Sequence, residues 1–347
     1  MSKPDIMHTH CQSLSSVRLA DIVAAAYGLK ITAISRVRKG TQTRNWRLDT
    51  DQGEIFLKEY IRGESADEIQ STLTIGERSR IGGIPVPRVI PTVDGKLFFK
   101  SDQHTLAAFE FVHGTSPVGS LNKKQMARAG EILGRMHGIL ARCVPDFPDE
   151  APAWLKMNPN RKLAEIDSLL EVIRTKGRDD PFAGLAEQTL VARKAMLPKL
   201  PELLAGSSEL RTQVIHGDFS TPNLFYHGDD LTAVIDFGPA APFLTAHEIG
   251  RMAFTVENFD TPEWLEKALC FIEAYCANKP DAAADVRMSA RMWLVQLTKS
   301  LYGVEQHFLA PLEFQKEVDL YWLARCRAAQ ELFLRLDEVE NMLSQKR

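Results

Sequence analysis

The stretch from Val214 to Gly238, VIHGDFSTPNLFYHGDDLTAVIDFG, gathers His216, Asp218, Asn223 and Asp236 around one short turn. Two apolar runs, Leu224 to Tyr226 and Leu231 to Ile235, flank a segment rich in Gly and Asp and predict a β-hairpin. With His227 paired to Thr232 across a four-residue loop, antiparallel register sets Leu224 opposite Ile235 and Asn223 opposite Asp236. Directly opposed residues on one face have Cβ atoms roughly 4.5–5.5 Å apart, so both side-chain oxygens can reach a single cation. Mg²⁺ takes hard oxygen ligands at about 2.0–2.1 Å, with one or two protein groups and with phosphate and water completing its shell. An Asn with an Asp meets that demand. Asp218 lies five residues before Asn223, on the loop entering the hairpin. A carboxylate there faces the metal position without being consumed by it and can serve as a base. Turn geometry accounts for Gly228, Asp229 and Asp230, but it does not ask for His216, Gly217, Asp218, Asn223 and Asp236 at the opposite end.

The elements that must position these residues follow from the rest of the chain. Residues 1–28 read as a loose tail and a short helix, SVRLADIVAAAYGL. ITAISRVRKG, RNWRLDT and EIFLKEY predict a three-stranded meander. Ser65 and Glu68, in capping-box spacing, open a helix that stops at Gly82 and Gly83. KLFFK and LAAFEFVHG add two strands, completing a β-rich segment over 29–115. From 116 to 347 the pattern is mostly helical. Met126, Ala129, Leu133, Met136 and Leu140 form one stripe with Asn122 as N-cap, and further helices begin near Arg161, Phe182, Pro262, Asp281 and Leu312.

HGDFSTPN followed by IDFG resembles the paired motifs of the aminoglycoside phosphotransferase and choline kinase family, relatives of protein kinases. GIPVPRV, FEFVHG and LGRMHG look like further landmarks of that family in the proper order. The resemblance implies an α+β, bilobal protein-kinase-like fold, with a β-rich N-lobe, a mostly α-helical C-lobe and ATP bound with Mg²⁺ between them. Carried onto this sequence, it makes Asp218 the catalytic base and His216 the brace of its loop, with Asn223 and Asp236 holding Mg²⁺ on the phosphates. Lys58 in IFLKEY would neutralise the α and β phosphates, steadied by Glu68 or Glu77. The turn containing Gly40 would cover the phosphates, and main-chain groups near Glu110 and Val112 would receive adenine.

Protein kinases carry His-Arg-Asp where this chain has His-Gly-Asp, and no activation segment closed by Ala-Pro-Glu follows the Asp-Phe-Gly. A small-molecule hydroxyl acceptor is therefore expected. A faint likeness to homoserine kinases favours an amino alcohol, with an aminoglycoside or aminocyclitol antibiotic next. Glu257, Asp260, Glu263 and Glu266 offer acid for a cationic drug, and Glu248 in AHEIGRMAF stands where the family often has an acidic residue. A non-catalytic, nucleotide-binding pseudokinase is the competing reading; intact Lys58, Asp218, Asn223 and Asp236 speak against it.

The bulk composition agrees with a small-molecule partner. The chain has 347 residues, 42 basic against 45 acidic side chains and a formal charge of −3, which gives no strong pull toward nucleic acid or an anionic membrane. No window approaches the ~18 apolar residues of a membrane span. Five scattered cysteines and a start without an apolar signal core point to the cytoplasm. His137 reads as a packed, hydrogen-bonded histidine. Trp293, Tyr302 and Trp322 read as core, with lining of an acceptor pocket or stacking on a cation as the other option. The donors of His8 to Cys11 read as an ordinary tail.

Overall fold

A computed structural model describes residues 16–37, 43–61, 63–143, 149–177 and 179–345. Gly40 and the His8–Cys11 donors lie outside the described residues. The described residues up to Gln70, with Pro87–Val112, form one compact unit, and Ser71–Val86 with those from His113 onward form a second.

The first unit is built on an antiparallel sheet. Its elements are α1 (Ser16–Tyr27), β1 (Ile31–Val37), β2 (Thr43–Thr50), β3 (Gly53–Tyr60), the start of α2 (Ala66–Ile81), β4 (Val89–Ile90), β5 (Phe99–Lys100) and β6 (Thr105–Glu110). Strand order is β1-β2-β3-β6-β4, with β5 pairing β6. The meander expected from the sequence is present, while β4 lies in the proline-rich stretch that gave no strand signal. Period-2 alternation sends Ile55, Leu57 and Glu59 inward and leaves Phe56, Lys58 and Tyr60 half-buried. Leu19 and Val23 of α1 pack with Leu48, Leu57 and Leu106 to form this unit's core. The α2 capping box is made as expected: Ser65 N–H donates to Glu68 Oε2 at 2.8 Å and Glu68 N–H to Ser65 Oγ at 3.1 Å.

The second unit is mostly helical. It opens with α3 (Lys123–Leu140), α4 (Ala151–Leu155), α5 (Pro159–Lys176), α6 (Ala183–Met196) and α7 (Leu200–Leu203). Four short strands follow, β7 (Thr212–Ile215), β8 (Leu224–His227), β9 (Asp230–Val234) and β10 (Ala241–Leu244). The chain then continues through α8 (Thr245–Ala253), α9 (Trp264–Asn278), α10 (Ala283–Lys299), α11 (Val304–Leu309), α12 (Gln315–Leu334) and α13 (Leu336–Ser344). Asn122 caps α3 by accepting from Gln125 N–H at 2.9 Å, and all five residues of the predicted stripe are buried. Gly130 in that helix lets α9 approach: a Cβ there would stand 2.1 Å from the Phe271 carbonyl oxygen. No helix among the described residues is long and apolar enough to cross a membrane.

Two small antiparallel ladders frame the motif residues. β7 pairs β10, bringing Ile215 against Ala241, so the loops that follow β7 and precede β10 emerge side by side. β8 pairs β9 in a register that differs from the expected one. His227 faces Asp230 across the two-residue turn Gly228-Asp229, and a bulge after Phe225 lets Leu224 face Val234. Asn223 therefore opposes Ile235, whose N–H donates to the Asn223 carbonyl at 3.0 Å. Asp236 follows one residue later at φ 66°, a left-handed conformation uncommon for a residue with a side chain. The tight turn and the bulge together shift the pairing by one residue.

Candidate active site

The loop that carries His216, Gly217 and Asp218 is held by α8. Glu248, 1% exposed, accepts from His216 N–H at 3.1 Å and from Gly217 N–H at 2.6 Å. It also meets His137 Nε2 at 2.9 Å, while His137 Nδ1 meets the Tyr275 hydroxyl at 2.9 Å. In the neutral ring, His137 thus donates through Nε2 to Glu248 and accepts through Nδ1 from Tyr275. Burial pushes the Glu248 carboxyl up, but the hydrogen bonds from His137 and from the Gly217 N–H outweigh it and leave the group below its ordinary value. Glu248 thus serves as an ionised clamp on the backbone of His216 and Gly217, and His137 is the packed histidine that the sequence suggested.

Gly217 has a backbone reason for being glycine. Its φ is 81°, and a Cβ would lie 2.2 Å from the Pro239 carbonyl oxygen. His216 is fully buried and joins the two loops. Its Nε2–H donates to the Ile235 carbonyl at 3.0 Å and its Nδ1 accepts from Asp218 N–H at 3.2 Å, which fixes the tautomer. Burial lowers its pKa against the pull of Glu248, Asp218 and Asp236, keeping the ring neutral in this brace.

Asp218 is held at both oxygens. Asn223 Nδ2 donates to Asp218 Oδ2 at 2.8 Å and to the Asp218 carbonyl at 2.9 Å. On the other side Arg251, from α8, donates to Asp218 Oδ1, which Ser220 Oγ also approaches at 3.3 Å. Oδ2, which among the described residues accepts from Asn223 alone, retains acceptor capacity for a further hydroxyl. Asn223 turns its amide nitrogen to Asp218, which leaves its side-chain oxygen as the atom that could meet a cation, and Asp236 follows Ile235, the residue hydrogen-bonded to the Asn223 carbonyl. Two hard oxygens fit Mg²⁺, which rarely needs more protein ligands than this.

Arg251 was missed in the sequence. The available signal was its position three residues after Glu248, on one side of a single helix turn. Burial lowers its pKa, but the charges of Asp218 and then Tyr321 and Glu248 outweigh that and raise it. It also lies over the Trp293 ring, 5.7 Å from the centroid.

Asp218 and Arg251 open onto a pocket of about 450 Å³ formed within this unit. Glu257, Trp293, Tyr302, Tyr321 and Arg325 also line it. Trp293 and Tyr302 are thus pocket residues as well as packed ones, while Trp322 is buried under the Arg193 guanidinium, 4.0 Å from its ring centroid. The four acids weighed for a cationic drug do not gather. Glu257 lines the pocket, whereas Asp260 pairs with Arg327 and Glu266 with Lys123.

In the first unit, Lys58 stands on β3 between Asn45 of β2 and Ala107 of β6, with its ammonium 5.5 Å from the Tyr60 ring centroid. The Glu68 carboxylate is occupied by the α2 cap, and Glu77 bonds Arg80 Nε at 2.9 Å. Glu110 closes β6 and pairs with Arg88 at 2.8 Å, and Val112 follows half-buried.

The sequence pattern of the phosphotransferase enzyme family matches residues 33–285. A homoserine kinase of Bradyrhizobium sp. is 24% identical over 272 residues, covering 77% of this chain and 77% of that protein. Among solved structures, a spectinomycin phosphotransferase in complex with ADP and spectinomycin superposes with a TM-score of 0.67 at 17% identity, over 92% of this chain and 100% of that one. A microcompartment-associated aminopropanol kinase gives 0.63 at 17% identity, over 94% and 99%. These likenesses place the chain among protein-kinase-like α+β folds.

Proposed function

Because the chain belongs to the phosphotransferase enzyme family, we propose that it moves the γ-phosphoryl group of ATP to a hydroxyl of a small molecule held beside Asp218. The observation that carries this reading is that one braced loop presents a doubly anchored carboxylate to a pocket of acceptor size. Asp218 accepts the acceptor's hydroxyl proton and aims its oxygen at phosphorus. Asn223 and Asp236 would hold Mg²⁺, which when bound neutralises charge on the phosphates. Lys58 meets the α and β phosphates, and the main chain from Glu110 to Val112 receives adenine. His216 and Glu248 touch neither substrate and act by positioning. ADP- and AMP-PNP-bound relatives, the latter an amicoumacin kinase, support the choice of nucleotide. The relatives' names support an amino alcohol or an aminocyclitol as the acceptor class.

The test is ADP release from MgATP across homoserine, serine, choline, ethanolamine, aminopropanol and spectinomycin. Acceptor-dependent release is expected from the wild type and is expected to vanish, with Mg-dependent nucleotide binding, in Asp236→Asn. No acceptor-dependent release, together with no stabilisation by MgATP, would reject the reading.

A further inference from the structure

The pocket beside Asp218 holds a second guanidinium that the transfer chemistry leaves unused. Arg325, on α12, is 5% exposed and lines the pocket. Its Nε and Nη2 have no hydrogen-bond partner among the described residues. Its Cζ lies 5.5 Å from the Tyr321 ring centroid, and burial, with the like charges of Arg193 and Arg251 adding to it, pushes its pKa down to about 10. Those two each leave Nε unmet but have acceptors at their terminal nitrogens: Arg193 donates to the Ser300 carbonyl at 2.7 Å and to that of Leu297, and Arg251 to Asp218. Three acids, Asp218, Glu257 and Glu317, share the pocket lining, and none of them bonds Nε or Nη2 of Arg325. Asp218 holds Arg251, Glu257 accepts from Thr255 Oγ1, and Glu317 is exposed. A buried cation with unmet donors and like-charged neighbours destabilises the fold unless an anion arrives. The guanidinium fork matches a carboxylate.

We propose that Arg325 is the anchor for a carboxylate on the acceptor, so that the molecule phosphorylated here is a small hydroxy acid or hydroxy amino acid and not a polycationic sugar. This rests on the reading of the pocket as the acceptor site. The hydroxyl lies at Asp218 and the carboxylate at Arg325, both inside one pocket of about 450 Å³. Arg325 is then a specificity-determining residue and Arg251 the partner that holds the base.

The test compares wild type with Arg325→Met, which keeps an unbranched stem and removes the charge, and with Arg325→Lys. Acceptors are L-homoserine, 4-hydroxybutyrate, 3-amino-1-propanol and spectinomycin. Losing a buried charged pair of this kind corresponds to at least ~30-fold in binding. Arg325→Met is expected to raise KM for both carboxylates by that factor with a much smaller change in kcat, to leave KM for 3-amino-1-propanol unchanged, and to melt no lower than wild type without acceptor. Arg325→Lys is expected to recover part of the KM loss.

A measurement on wild type alone keeps the proposal testable even where a variant fails to fold. Thermal stabilisation of the MgADP-bound protein is expected to be larger with either carboxylate than with 3-amino-1-propanol or spectinomycin. Preference for the latter two, no stabilisation by either carboxylate, or an unchanged KM in Arg325→Met would overturn the proposal. Stabilisation by MgATP alone reads the kinase assignment separately: its absence would reject the kinase, and a carboxylate effect beside it would leave only carboxylate binding at Arg325 standing, not an acceptor anchor.

Discussion

Replacing Glu248 by Gln probes the clamp beneath the catalytic loop. The carboxylate serves three donors: His137 and His216 N–H at Oε2, and Gly217 N–H at Oε1. A glutamine offers one oxygen and an amide that only donates. Placing the oxygen at Oε2 turns the amide against Gly217 N–H, and placing it at Oε1 turns the amide against His216 N–H. Either way one buried backbone donor loses a charge-assisted bond, about 1.5–3 kcal/mol, and is left unmet, about 1–3 kcal/mol more. The expected destabilisation is about 2.5–6 kcal/mol by urea unfolding. Displacing the loop by about 1 Å would also lower kcat roughly 10²-fold. Since the folded carboxyl titrates below its ordinary 4.5, the clamp's contribution is complete above about that pH and is lost as pH falls through the lower folded value. An Asp218 loop held elsewhere would show itself as Glu248→Gln with wild-type stability and wild-type kcat.

Two further outcomes are expected. Gly217→Ala puts a Cβ 2.2 Å from the Pro239 oxygen at φ 81°, so thermal unfolding should move down and turnover should be lost; an unchanged melting temperature would contradict this account of Gly217. His307 sits between Asp180 at 2.8 Å and Asp319 at 2.9 Å, a position that favours the doubly protonated ring. Burial lowers its pKa, but bonds to the two carboxylates outweigh that and raise it above the ordinary 6.5. The clasp's stabilisation is full below about pH 6.5 and is lost as pH rises through the raised value, so His307→Gln should differ from wild type near pH 6 and converge with it near pH 9. An equal gap at both pH values would refute this.

The local signals were legible in the sequence because they act over a few residues. The Ser65-Glu68 box, the Asn122 cap, the α3 stripe and the meander depend on near neighbours, and all formed as read. The hairpin existed where expected, but its register depended on a bulge that leaves no mark in composition. β10 escaped notice because its four residues include a proline and it pairs far back with β7. Motif order singled out Asp218, Asn223 and Asp236, and the structure sets Asn223 Nδ2 2.8 Å from Asp218 Oδ2. Arg251 and Arg325 were not, because contacts across such separations leave no periodicity. Only the helical spacing of Glu248 and Arg251 hinted that α8 faces the loop twice.

The most direct test of Asp218 as base is kcat and MgATP affinity measured together on Asp218→Asn, with an acceptor that the wild type uses. Loss of a positioned base predicts a fall of about 10²–10⁴ in kcat with nucleotide affinity retained. Wild-type turnover by Asp218→Asn would contradict the account.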